Sequence, residues 1–289
     1  MTHFMCMQCG VQFAESDAPP ASCPICSDPR QYIRLAGQAW TTIEELGRDH
    51  EVVLRDEDGV LSIGIEPAFA IGQRALLAET PDGNVLWDCV PLVSDAAVAA
   101  LEARGKVKAI AISHPHFHSA IVEWSRTLGD IPIYIHAGNR QWVMRPDPAI
   151  VFWEEETKAI LPDVTLIRCG GHFEGSSVCH WKRRDRPGVL LAGDTVQVVM
   201  DRKHVSFMYS YPNLWPLNAR AVERIVRALE PFDYGQVYSA FWNMRILDDG
   251  KGAVARSAER YLAAIADQDQ GNEKGTAMSR RSRPSKPGV

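Results

Sequence analysis

Four of the seven cysteines fall in two tight pairs, Cys6-x-x-Cys9 and Cys23-x-x-Cys26, with residues 10–22 between them. Two such knuckles bring four thiolates around one tetrahedral ion, at roughly 2.3 Å per bond for zinc. A set of four sulfurs suits iron as well as zinc, so Cys6, Cys9, Cys23 and Cys26 are expected to hold Zn or Fe. Gly10 allows a tight turn after the first pair, and Pro24 stiffens the second. A second set lies in Ile110-Ala-Ile-Ser-His114-Pro-His116-Phe-His118-Ser119. Alternate residues of an extended chain share one side. Three imidazoles are therefore expected to converge on a borderline ion: one Zn, alternatively Fe or Mn. An unperturbed pKa near 6.5 also suits His118 to take a proton from water, to orient it, or to ligate; a plain place in the pocket wall is the other reading.

These residues need elements to position them. Residues 51–54 and 60–65 read as strands around Asp58-Gly59, and 75–78 and 85–87 as a pair across Pro81-Asp82-Gly83-Asn84. Residues 95–104 read as a helix, with Ser94 as its cap and Gly105 as its stop. Residues 107–112, 131–135, 164–167 and 189–191 are further apolar strands, and 219–229 and 253–266 are helices. Two strand-rich halves with helices between them predict an α+β domain of stacked sheets covered by helices.

Composition bounds the function. Hydrophobic residues at 46% and charged residues at 23% fit an ordered domain. A net charge of −5 gives no broad basic field, so no nucleic acid is expected. No apolar run approaches the ~18 residues of a membrane span, and the N-terminus lacks the pattern of a signal peptide. An odd number of cysteines, four of them in C-x-x-C pairs, fits a reducing cytoplasm. Cys89, Cys169 and Cys179 read as inert buried thiols. The expected organisation is a metal ribbon over 1–36, a linker over 37–47, the main domain over 48–268 and a disordered basic tail over 269–289.

Two resemblances follow from these residues. Phe4-Met-Cys-Met-Gln-Cys-Gly10, Ala18-Pro-Pro20 and Cys23-Pro-Ile-Cys26 resemble the rubredoxin-like domain at the end of rubrerythrins, where four Cys bind one iron. The histidine segment resembles the H-x-H-x-D-H motif of the metallo-β-lactamase superfamily. Val85-Leu-Trp-Asp88 is similar to that family's strand ending in Asp. Cys169-Gly-Gly-His172-Phe-Glu-Gly-Ser176 is similar to its G-H-T-x-G-S segment, and Leu190-Leu-Ala-Gly-Asp194-Thr195 to its G-D strand. The resemblance implies an αββα sandwich behind a four-Cys ribbon. It implies that His114, His116 and His172 form one metal site and that Asp194 completes it. It also shows departures. The motif's Asp and last His are replaced by His118 and Ser119, and no His follows His204. The second site of the family is therefore degraded, and a mononuclear centre is expected, with catalysis resting on His118 and Asp194. Asp88 is expected to hydrogen-bond the metal loop.

Three activities fit these features. The first is a metallohydrolase whose metal-bound hydroxide attacks an ester, thioester or lactone-type carbonyl of a small molecule. The second is a mononuclear non-haem iron enzyme, dioxygenase-like, with His114, His172 and Asp194 as ligands and a rubredoxin-like ribbon serving an electron-transfer partner. The third is a metal-stabilised binding module without catalysis. A homodimer is compatible with the sequence but not specified by it.

Overall fold

Leu76 and Ala78 face one apolar layer while Ala75 and Leu77 face another, so the strand Ala75–Ala78 is buried at every position. The same division recurs in Val189–Gly193: Leu190 and Ala192 face one layer, Val189 and Leu191 the other. Successive side chains of a strand point to opposite faces, so both faces of these strands are covered. The computed structural model describes residues 1–184 and 186–277. Its first sheet has seven strands in chain order, from Glu51–Asp56 to Ile150–Trp153. Its second runs Thr157–Leu161, Val164–Arg168, Ser177–Trp181, Val189–Gly193, Gln236–Ser239 and Arg245–Ile246. Trp87, Trp153, Trp181 and Tyr238 fill the layer between the sheets. The helices Asp95–Ala103 and Ile121–Thr127 cover the first sheet, and Ala219–Leu229 and Gly250–Ala277 cover the second. This is the expected αββα order.

Local chemistry sets the helix starts. Ser94 Oγ accepts from Ala97 N at 3.2 Å, and Asn218 Oδ1 accepts from Ala221 N at 3.0 Å. Each satisfies one of the orphan N–H groups of a first turn. Parallel pairing then sets direction. Asn84–Trp87, Val107–Ala111, Ile133–His136 and Ile150–Trp153 run the same way, as do Val189–Gly193 and Gln236–Ser239. Asp88 follows the first of these strands directly, His114 lies three residues past the second, and Asp194 follows Val189–Gly193.

The segment 37–47, expected as a linker, is structured: its strand pairs with the ribbon and its helix places Leu46 in the core of the first sheet. Trp40–Thr41 pairs antiparallel with Met5–Cys6, and Thr42 caps the helix Ile43–Asp49. The ribbon core of Cys6, Cys9, Val11, Phe13, Cys23, Ile25 and Cys26 packs on Trp142 and Met144 of the main domain. Ala14 N donates to Met144 O at 3.0 Å, and Gln12 N to Ser119 O at 3.2 Å. The last helix continues to Ala277, past the expected end at 266 and into the segment expected as a disordered tail. The rest of that segment, 278–289, lies outside the described residues. No helix among the described residues is long and apolar enough to cross a membrane.

Candidate metal centre

His114 sits just past the strand Val107–Ala111 in extended backbone, with φ −167° and ψ 173°. The chain does not stay extended after it. Pro115–Phe117 forms a 3-10 turn with Pro115 at its start, so the expected alternation of three histidines fails at the third. A 3-10 turn repeats every three residues, which sends His118 away from His116. His116 stays with His114, and His172 and Asp194 arrive from the second sheet. One ligand atom from each of these four buried residues lies within 4.8 Å of the other three. His172 Nε2 is 3.3 Å from His116 Nδ1, and His114 Nε2 is 3.4 Å from Asp194 Oδ2.

Hydrogen bonds outside the cluster fix which nitrogen points in. His172 Nδ1 donates to Tyr209 O at 2.8 Å, which leaves Nε2 as a lone pair. His114 Nδ1 donates to Ser113 Oγ at 2.9 Å, and Ser113 Oγ donates to Asp88 Oδ2 at 3.0 Å. Ser113 N donates to Asp88 Oδ1 at 2.8 Å. Asp88 therefore supports the metal loop, as expected, through Ser113. Such outer partners orient a ligand imidazole and raise its basicity. Gly193 makes this approach of the two sheets feasible. It holds φ +53°, and a Cβ there would meet Ser113 Cβ at 2.7 Å.

Burial sets the protonation states. It lowers the pKa of His114 and of His172 to about 3 and that of His116 well below its usual value, so all three imidazoles are neutral at pH 7. Burial also raises Asp194 to about 6. His114 Nε2 and Asp194 Oδ1 are buried with no hydrogen-bond partner. Buried polar atoms without partners are costly, and neutral nitrogens with one carboxylate form the donor set that a borderline divalent ion takes. The residues fit such an ion.

The ribbon passes the same test. Cys6 Sγ and Cys26 Sγ are 3.6 Å apart, and Cys9 Sγ and Cys23 Sγ 3.7 Å. A disulfide requires about 2.05 Å, whereas the edge of a tetrahedron of 2.3 Å bonds is about 3.8 Å. Hydrogen bonding from Cys23 pulls the Cys6 thiol down, while burial pushes Cys9 up, so four buried thiols resist carrying four charges without a cation. Among the described residues, the four cysteines and the His114, His116, His172 and Asp194 set are the two clusters with metal-binding geometry.

The other expected residues fall elsewhere. His118 Nδ1 donates to Trp142 O at 3.0 Å, and burial lowers its pKa to about 4. It lies outside the four-atom cluster and faces a small void beside Val11 and Ser119. Ser119 Oγ accepts from Gln73 Nε2 at 3.0 Å. Cys89, Cys169 and Cys179 are buried, and burial pushes each thiol up, Cys169 to about 12.

A cavity of about 310 Å³ opens onto His116, His172 and Asp194. Ala70, Ile71 and Phe241 form one wall, and Gln8, Gln31 and Tyr32 of the ribbon form another. Arg30 locks this second wall in place: its Nη1 donates to His172 O at 3.3 Å, and its guanidinium lies 3.9 Å from the Phe173 ring centroid. Asn213 Nδ2 donates to Pro29 O and Gln31 O at 2.9 and 3.1 Å. Sequence reasoning missed all these ribbon residues. The spacing of the cysteines says where a metal sits but not which face of the ribbon meets a neighbour.

Residues 70–227 match the family described as the metallo-beta-lactamase superfamily. A Bacillus subtilis (strain 168) protein, "Uncharacterized protein YmaE", is 43% identical over 269 residues, covering 92% of this chain and 97% of that one. Among solved structures, the metallo-beta-lactamase FIM-1 from Pseudomonas aeruginosa, in its mono-zinc form, has a TM-score of 0.52 at 15% identity, covering 73% of this chain and 96% of that chain. A metallo-beta-lactamase from Hirschia baltica has a TM-score of 0.50 at 19% identity, covering 73% and 97%. Identities this low show a shared fold.

Proposed function

Because the chain belongs to the metallo-β-lactamase superfamily, we propose that it is a metal-dependent hydrolase with one divalent ion in its main site, acting on an ester, thioester or lactone-type carbonyl. The observation that carries this reading is the convergence of three neutral imidazoles and Asp194 at the floor of an open cavity. An ion held there supplies Lewis acidity, polarising a carbonyl and lowering the pKa of water. His114, His116, His172 and Asp194 would hold it, with the His114 ring oriented by Ser113 and the His172 ring by the Tyr209 carbonyl. Asp194 Oδ1, free of protein partners, accepts a hydrogen bond from the attacking water. Ala70, Ile71 and Phe241 keep bulk water from the reacting groups. Among the described residues lining the cavity, none is lysine or arginine, so away from the ion no cationic side chain awaits a carboxylate or phosphate. The site is read as mononuclear because His118 and Ser119 are turned to other partners.

A second reading has a specific observation in its favour. The ribbon touches the His172 segment directly through Arg30, an arrangement suited to a ribbon iron feeding a main-site iron. Elemental analysis and aryl-ester hydrolysis separate the two. The hydrolase reading expects about two zinc ions per chain and ester turnover. Asp194→Ala should strip the main-site ion, keep the ribbon ion and abolish turnover. Iron in both sites with no ester turnover would overturn it in favour of redox chemistry.

A further inference from the structure

Gln8 stands between Cys6 and Cys9, inside the first metal knuckle, and lines the cavity that holds His116, His172 and Asp194. The residue is only 8% exposed, its carboxamide makes no hydrogen bond to another described residue, and that carboxamide is not among the fully buried polar atoms, so what it meets is the cavity's solvent. Its neighbour on the same wall differs: Gln31 Oε1 accepts from Tyr32 N at 3.3 Å. An amide on a cavity wall that no protein group engages has its full capacity open to a ligand, two N–H donors and one carbonyl acceptor. Resting on the hydrolase reading above, we propose that Gln8 is a substrate-binding residue. It selects neutral acyl compounds that carry an amide, or a similar neutral hydrogen-bonding group, a few bonds from the scissile carbonyl.

The knuckle fixes where Gln8 leaves the backbone. Gly10 N donates to Cys6 O at 2.8 Å, closing the turn that carries it. Gly10 holds φ +76°, and a Cβ there would meet Pro91 Cγ at 2.7 Å, so the knuckle sits hard against the main domain. Gln38 Nε2 donates to Cys6 Sγ at 3.2 Å from the other side. A fixed backbone leaves only the side chain's own rotamers to be ordered on binding. The lining points the same way. Gln8 and Gln31 give the ribbon side of the cavity neutral hydrogen-bonding side chains, and among the described residues that line it none is lysine or arginine. The ribbon thereby contributes recognition to a centre whose ligands it does not supply.

The test uses the metal-loaded full chain and two isosteric metal-binding probes, N-acetylglycine hydroxamate and 4-methylpentanohydroxamate, titrated by intrinsic tryptophan fluorescence. Wild type should bind the amide-bearing probe more tightly by about 2- to 13-fold, the net worth of one hydrogen bond. Gln8→Leu should erase that preference while leaving alkyl-probe affinity and both metals unchanged. If Gln8→Leu loses ribbon metal, the unbranched Gln8→Met is read in its place. Equal binding of the two probes by wild type, a preference that survives both substitutions, or binding of neither probe overturns the proposal. Aryl-ester turnover is measured alongside. Its absence with the probe preference intact removes the hydrolase reading and keeps the role of Gln8; turnover without preference does the reverse.

Discussion

At His118 the imidazole gives its Nδ1 proton to the Trp142 carbonyl and keeps a buried Nε2 with no partner. That bond ties the metal loop to the segment on which the ribbon packs. A general base must reach the proton it takes, and His118 does not line the cavity of the metal cluster. His118→Ala should therefore keep both metals and keep turnover within a few fold. It should lower stability by about 0.5–1.5 kcal/mol, the net worth of the hydrogen bond lost at a part-buried carbonyl. Metal content, thermal melting and ester turnover on one sample decide this. A turnover loss of about 10²–10⁴ with metal retained would make His118 the base after all.

At the scale of the element, the ribbon is a wall of the site. Gln12 N reaches Ser119 O, Arg30 Nη1 reaches His172 O, and Ser210 Oγ donates to Arg30 O at 3.0 Å. The ribbon core is small, so its order depends on the ion that its thiolates hold. Cys9→Ser together with Cys26→Ser should release the ribbon ion and disorder the wall that carries Gln8 and Gln31. The main-site ligands sit on the sandwich and should keep their ion. Substrate binding should weaken about tenfold or more, seen as a raised KM, because a preorganised wall has been lost. Loss of both ions together, measured by elemental analysis, would mean that ribbon and sandwich fold as one cooperative unit.

For the whole molecule, stability rests on the layer between the sheets. Leu76 is 2% exposed and packs there with Trp87 and Trp153. Leu76→Ala should cost about 2–5 kcal/mol through lost burial and a residual cavity. Leu214, 79% exposed, should change stability by less than about 0.5 kcal/mol when cut to Ala. Neither change touches a ligand, so both variants should bind two ions. Urea denaturation checks the first pair of values, and elemental analysis checks the second. The buried Arg74 adds a polar tie between the sheets: its Nη2 donates to Ser239 O at 3.1 Å, and it pairs with Glu57, which also holds Arg245 at 2.9 Å.

Local chemistry was legible in the chain. The C-x-x-C pairs, the His114-Pro-His116 step and the cap at Ser94 act over a few residues, so sequence alone determined the ribbon quartet, one capped helix start and the strand that carries the metal loop. The family motifs identified His172 and Asp194 as partners, although neither lies near His114 in the chain. Several strands escaped, among them Ile150–Trp153, Thr157–Leu161 and Ser177–Trp181, because their apolar and polar residues do not alternate cleanly when both faces or neither are covered. Only the tertiary structure decided where His118 points, since a single 3-10 turn at Pro115 overrides strand alternation. Only it showed that the ribbon closes the cavity. Docking depends on which surfaces meet, and surfaces are assembled from residues far apart in sequence, here Gln8, Arg30, Trp142, His172 and Asn213.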